Sequence, residues 1–297
     1  MLRAPSMTRI ALVGTGAVGC VVAASLLRGA RHALTLCART AFTALHVDTP
    51  AGTLARRVEV HTRPEDVAVV DHVLVATKTY DAAATARWFP ALVGTRTRVA
   101  VLQNGVEHRA RFAPWIDPEA IIPVVVELPC ERRAPGHARL RRAGSLTMPA
   151  TDDGRAFAAL FDDPEIDART VEDFDAACWR KLCFNAVGAL SALTLRPSGV
   201  LRDEAIGDVA RALVRECVAV ARAEGVALDE GLPEEVLRRS RGGDPDSFNS
   251  LAADRRAGRP MEVDARHGVV VRLGARHGIE TPHHRMVAAL LGACAAG

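Results

Sequence analysis

Six residues near the start of the chain, Gly14-Thr15-Gly16-Ala17-Val18-Gly19, restrict the fold more than any other part of the 297-residue sequence. They follow an apolar run, TRIALVG at 8–14, that reads as a buried strand, and they run into an apolar helical stretch at 18–27. A GxGxxG pattern alone is a weak signal, but between a strand and a helix at the start of a βαβ unit it has a mechanism. The first glycine permits a tight turn, the second lets a pyrophosphate approach the backbone, and the third lets helix pack on strand. The expected fold class is therefore α/β, opening with a Rossmann-type dinucleotide-binding domain whose cofactor loop is Gly14, Thr15, Gly16, Ala17, Val18 and Gly19.

Further strands fit that frame. LTLCAR (34–39), HVLVATK (72–78) and RVAVLQN (98–104) are short apolar runs with polar ends, as in a parallel sheet covered on both faces. Residues 46–60 suggest an inserted hairpin around Ala51-Gly52, and 83–93 a crossover helix. After Ile121 come VVVEL and LTMP, joined by ERRAPGHARLRR, whose charge reads as a solvated hairpin. From about Asp173 the pattern turns helical, near 173–195, 202–225, 233–240, 247–257, 261–277 and 283–294, with Gly and Pro between. This predicts two domains, 1–172 NADP-binding and 173–297 all-α and substrate-binding, with residues 1–6 a loose extension.

Composition narrows the function. At 49% hydrophobic the chain has material for two cores, and its 25% charged residues nearly cancel to a formal +3. Such a balance gives no field to gather nucleic acid or acidic membrane, though a small anionic ligand fits it. No run approaches the ~18 apolar residues of a membrane span and no signal-peptide pattern precedes the first strand, so a cytoplasmic protein is expected. The seven cysteines are odd in number, lack a CxxC pair, and read as reduced, mostly buried thiols. The ten histidines form no HxxxH pattern or mixed Cys/His cluster; no metal is expected, and surface positions are their default reading.

Rare residues carry the rest. Of 38 basic residues only Lys78 and Lys181 are lysines, and the chain has one glutamine, Gln103, and three asparagines, Asn104, Asn185 and Asn249. Lysine can release a proton near neutral pH when desolvated, whereas guanidinium cannot. Reduction of a ketone by hydride leaves charge on oxygen and needs a proton donor there. Lys181 suits that task, and Asn185, four residues on, shares its helix face; a polar residue satisfied within a helix interface would read the same way. The second strand ends Cys37-Ala38-Arg39-Thr40 with no acid to take a ribose hydroxyl. Arg39 would accommodate a 2′-phosphate, which favours NADPH, although in so arginine-rich a chain it is also readable as a surface cation.

With these residues in place the sequence resembles the ketopantoate reductases (2-dehydropantoate 2-reductases) over nearly its whole length. The resemblance rests on VGTGAVG; ATKTYD with Lys78; LQNGV with Gln103, Asn104 and Gly105; WRKLCFN with Lys181 and Asn185; SLAADRRAGRPMEVD with Ser250, Asp254, Gly258, Arg259, Glu262 and Asp264; and the closing Gly278-Ile279-Glu280-Thr281-Pro282. It implies NADPH-dependent reduction of a small 2-keto acid, ketopantoate giving pantoate in pantothenate biosynthesis, and an all-α second domain like that of 6-phosphogluconate dehydrogenase. Lys181 would be the general acid, and Glu262 would hold the substrate's hydroxyl end and orient the lysine. Asn104 would serve the nicotinamide ribose and the substrate, Lys78 the cofactor, and Asn185 and Ser250 the substrate's polar groups. Glu262, just after Pro260, is also readable as an acid stabilised at a helix N-terminus.

One departure stands out: many members carry a second asparagine a turn beyond the first, where this chain has Ala189, with Ser198 at a polar position further on. Fewer substrate donors leave another 2-keto acid as an alternative. Two more readings stay open: an NADP-dependent dehydrogenase or decarboxylase of a hydroxy acid, and a noncatalytic NADPH-binding sensor, against which an intact Lys181, Asn104 and Glu262 argue. Long apolar helix faces would allow a homodimer.

Overall fold

The computed structural model describes residues 7–29 and 31–295 and divides into two compact units. The extension expected at residues 1–6 lies outside the described residues. The first unit spans Met1–Gln103 and His108–Phe174, the second Asn104–Glu107 and Asp175–Gly297.

The first unit contains, in chain order, β1 (Thr8–Val13), α1 (Ala17–Arg28), β2 (His32–Cys37), β3 (Ala44–Thr49), β4 (Gly52–Arg57), β5 (Val60–His61), β6 (His72–Val75), α2 (Ala82–Ala86), α3 (Phe89–Leu92), β7 (Arg98–Val101), α4 (His108–Phe112), β8 (Ile121–Pro123), β9 (Val125–Glu127), β10 (Cys130–Ala134), β11 (His137–Leu140), β12 (Gly144–Pro149), α5 (Asp152–Ala158) and β13 (Ile166–Val171). Its main sheet is parallel throughout, in the order β5-β2-β1-β6-β7-β8. Ile10, Ala11 and Leu12 in β1 and Val73, Leu74 and Val75 in β6 are wholly buried, the signature of strands covered on both faces. Strand β1 pairs with β2 on one side and β6 on the other, so the strand order reverses at β1. Ligands of open α/β sheets bind at the carboxyl end of such a switch point, and there the glycine loop begins.

The expected crossover helix at 83–93 is broken into α2 and α3, with Pro90 in the first turn of α3. The hairpin expected at 46–60 forms as β3–β4, but the charged segment is not merely solvated. Strand β11 pairs in parallel with β3, joining two hairpins into one sheet, β10-β11-β3-β4. One face of this sheet presents Leu45, Val47, Leu54, Ala138 and Leu140 to the cluster that includes Val21, Val22 and Leu26 of α1, while the arginines of these strands are exposed. A third sheet, β13-β12-β9, closes the unit; helix α5 and strand β13 have no counterpart in the sequence reading.

The second unit is all-α: α6 (Phe174–Thr194, entering from the first unit), α7 (Glu204–Ala223), α8 (Leu232–Arg241), α9 (Ser250–Arg256), a π turn at Asp264–Gly268 leading directly into α10 (Val269–Arg276), and α11 (Pro282–Ala295). Trp179, Leu182, Leu213, Val214, Val236, Val270 and Leu291 lie in one buried cluster. Side chains cap several helices. Asn249 accepts from the backbone N–H of Leu251 (3.0 Å) and Ala252 (3.1 Å) at the start of α9 and donates to Gly188 O of α6 at 2.8 Å.

Candidate active site

The glycine loop is set by sterics. Gly14 has φ +102°, and a β-carbon there would lie 2.7 Å from the Thr77 backbone N. A β-carbon on Gly19 would collide with the Gly14 carbonyl oxygen, so only glycine lets α1 start this close to β1. At Gly16 a β-carbon would meet nothing within 4 Å. The loop thus leaves open backbone at the start of α1, where no side chain caps the helix and no acid stands in the first turn. That uncompensated positive end fits a pyrophosphate.

Around the loop, Arg39 follows the end of β2; its side chain is 85% exposed and its guanidinium stands 3.6 Å from Asp81. The half-buried Lys78 precedes a 3-10 turn at Thr79–Asp81. Gln103 at the end of β7 ties this region together: its amide nitrogen donates to Thr77 Oγ1 (3.0 Å) and Lys78 O (3.1 Å), and its amide oxygen accepts from Arg111 (3.3 Å). The ring of buried His108 donates from Nε2 to Gln103 O at 2.9 Å, and burial draws its pKa from 6.5 to about 4.

The second unit assembles the residues predicted to meet the substrate from four separate stretches of chain. Gly105 (φ +100°) turns the backbone just after Asn104, and Glu107 is held by Arg272 at 2.7 Å. Asn104 Nδ2 donates to Glu262 Oε2 at 3.0 Å, and Asn185 Nδ2 donates to Asn104 Oδ1 at 3.3 Å. Lys181 is half-buried one turn before Asn185 on α6. Ser250 begins α9, and its Oγ accepts from Arg266 Nη2 at 2.9 Å; the same nitrogen stands 3.9 Å from Glu262 Oε2. Glu262 is 3% exposed and Arg266 2%. Burial lowers the pKa of the Arg266 guanidinium from its ordinary value, against the pull of Glu262 and Asp254. Ala189 is wholly buried in the helical core, and the Ser198 hydroxyl donates to Ser247 O at 3.0 Å.

Two features escaped the sequence reading. Arg266 sits four residues after Glu262, a spacing that could have marked the pair, but one arginine does not stand out where arginine replaces lysine nearly everywhere. The surface reading of the histidines is also corrected. His267 and His284 are wholly buried, with their Nδ1 atoms 3.1 Å apart, and His284 Nε2 lies 3.1 Å from Leu213 O and 3.3 Å from Cys217 Sγ. Since a carbonyl only accepts, His284 Nε2 carries its proton and its Nδ1 accepts from His267. Among the described residues no group of three or more His, Cys, Asp or Glu side chains is arranged to hold a metal ion.

Known proteins match this arrangement across both units. The family model described as ketopantoate reductase PanE/ApbA matches residues 10–153, and its C-terminal counterpart matches 173–295. A 2-dehydropantoate 2-reductase from Caulobacter vibrioides is 53% identical over 289 residues, covering 97% of this chain and 100% of the relative. A crystal structure of a PanE/ApbA family ketopantoate reductase from Ralstonia eutropha superposes with TM-score 0.87 at 32% identity, covering 97% of this chain and 98% of the other. A dimeric ketopantoate reductase from Staphylococcus aureus superposes with TM-score 0.85 at 25% identity over 97% of this chain and 99% of its own. The chain belongs to the ketopantoate reductase family and is an oxidoreductase built on a dinucleotide-binding fold.

Proposed function

We propose that this chain reduces 2-dehydropantoate (ketopantoate) to pantoate with NADPH. The observation that carries the reading is the hydrogen-bonded set Asn185–Asn104–Glu262, on or beside the helix that bears Lys181, in a chain 53% identical to a 2-dehydropantoate 2-reductase. Residues Gly14 to Gly19 would hold the pyrophosphate on open backbone, Arg39 would take the 2′-phosphate, and Lys78 and Asn104 would complete the cofactor's contacts. When bound, the reduced nicotinamide supplies the hydride.

The protein's own residues supply the proton and the geometry. Lys181 as the ammonium gives its proton to the carbonyl oxygen while charge develops there. A buried carboxylate nearby favours the charged lysine, and only the charged form can donate. Glu262, fixed by the Asn104 amide, accepts from the substrate's hydroxyl and orients Lys181. Asn185 and Ser250 hydrogen-bond the substrate's remaining polar groups. The first unit serves the cofactor and the second the substrate, Asn104 being carried by the second.

The buried Ala189 favours one other reading, a 2-keto acid with one fewer polar group. NADPH oxidation with ketopantoate and a panel of 2-keto acids separates the two. In Lys181→Ala we expect kcat to fall by about 10³-fold with NADPH binding retained, consistent with the worth of a positioned general acid. Turnover unchanged in that variant would refute the assignment of the proton donor, and NADPH binding without turnover of any keto acid in the unmodified protein would indicate a sensor. No helix among the described residues is long and apolar enough to cross a membrane, in keeping with a cytoplasmic enzyme. A homodimer, as in the Staphylococcus aureus relative, is the assembly we expect from sedimentation.

A further inference from the structure

Arg266 is the largest fully buried side chain among the described residues. A guanidinium has five N–H donors and keeps its charge, so burying one is costly unless anions or acceptors surround it. Here the provision is thin. One hydrogen bond reaches Ser250 Oγ at 2.9 Å, the Glu262 carboxylate stands at 3.9 Å, beyond hydrogen-bonding distance, and Nε is buried with no partner. Asp254, also nearby, is taken by Arg259 at 2.9 Å. The arginine sits on a π turn, a helical irregularity often found at functional sites.

Ser250 differs from the arginine behind it in being exposed. Its oxygen accepts the arginine's N–H, so its own O–H is left to donate to something outside. With Lys181 as the charged proton donor of the reading above, Lys181 and Arg266 against Glu262 leave one positive charge, the complement of a monocarboxylate. The neutral donors that could have served elsewhere are absent or occupied, since Ala189 has none and Ser198 is bound to Ser247.

We propose that Arg266, acting with the Ser250 hydroxyl, recognises the carboxylate of the 2-keto acid and is the residue by which this enzyme selects an acid over a neutral ketone. The inference rests on the reductase reading above. The guanidinium polarises the Ser250 O–H towards the carboxylate and offsets the repulsion that Glu262 would otherwise exert on an anion.

The test compares ketopantoate with its primary amide, which keeps the ketone, the hydroxyl and the carbon skeleton but has no carboxylate. For Arg266→Met, kcat/KM for ketopantoate is expected to fall by about 100-fold, the scale of a missing charge-assisted hydrogen bond, while that for the amide changes less than about threefold. Arg266→Lys, which keeps the charge but loses the fork, should fall between. An equal loss on both substrates in both variants overturns the proposal and leaves Arg266 a structural partner of Glu262. Should Arg266→Met fail to fold, Ser250→Ala in the otherwise unchanged protein decides: a fall in the acid-to-amide ratio supports the proposal and an unchanged ratio overturns it. If the unmodified enzyme reduces neither compound, the reductase reading itself fails, an outcome distinct from a loss of selectivity.

Discussion

The glycine loop of the first unit and the polar cluster of the second are built by different means. In the loop almost everything depends on backbone: Gly14 must turn with positive φ, Gly19 must let a carbonyl pass, and Gly16 must leave space. In the cluster everything depends on side chains from segments far apart, with Asn104 reaching Glu262 across 158 residues of sequence. A site made of backbone is written in consecutive residues, because the steric demand on each glycine comes from its immediate neighbours. A site made of side chains is written only in the fold that gathers them.

Substitution in the loop gives the sharpest separation of these two kinds of site. Gly19→Ala has to displace the Gly14 carbonyl, and we expect a loss of about 3 kcal/mol of stability together with weaker NADPH binding. Gly16→Ala meets nothing in the protein, so it should melt like the parent yet bind NADPH at least about tenfold more weakly, because the added methyl group stands where the ligand would approach. Calorimetric melting and NADPH titration of the pair check both; a Gly16→Ala protein with unchanged affinity would break the argument that this backbone is kept open for a ligand.

Acid should affect the two units unequally. Burial draws His108 in the first unit and His284 in the second from 6.5 to about 4, and holds His267 well below its ordinary value. Between pH 6.5 and about 4 the unfolded chain takes up protons at these sites that the folded chain does not, so their stabilising effect is complete above pH 6.5 and is lost as pH falls. From pH 7 to 5 this amounts to about 2 kcal/mol for His108 and about the same for His284. His72 in the first unit is drawn down by burial too, but less far, so with two strongly shifted rings against one the second unit should lose more hydrogen-exchange protection than the first, and His284→Gln should narrow the gap; equal losses would remove the distinction.

The smallest expected effect tests the exposed end of the loop site. Arg39→Ala should raise KM for NADPH about tenfold and leave NADH nearly unchanged, measured with both cofactors. Its present ion pair with Asp81 is at the surface and of little worth to stability, so the melting temperature should not move.

What the sequence makes legible follows the same division. Strand β1, its glycine loop and α1 are legible because their pattern is local. The β3–β4 hairpin is legible around Gly52, but its parallel pairing with β11 is not, since nothing in either segment names the other. Lys181 and Asn185 are visible because their residue types are scarce in this chain, and for the opposite reason Arg266 is hidden among arginines. The buried histidines elude a sequence reading because burial of a ring on α11 is decided by α7 and the π turn, which contact it only in the folded chain.

The four residues Asn104–Glu107 belong to the second unit, although the chain on either side of them belongs to the first. No single cut therefore yields two complete pieces. A fragment beginning after residue 173 would retain Lys181, Asn185, Arg266 and Glu262 but lack the asparagine that bridges two of them. A chimera that exchanges the helical unit for a relative's would carry a mismatched bridge unless those four residues travelled with it. For protein engineers, the exchangeable module is thus discontinuous, a helical block plus a short upstream stitch.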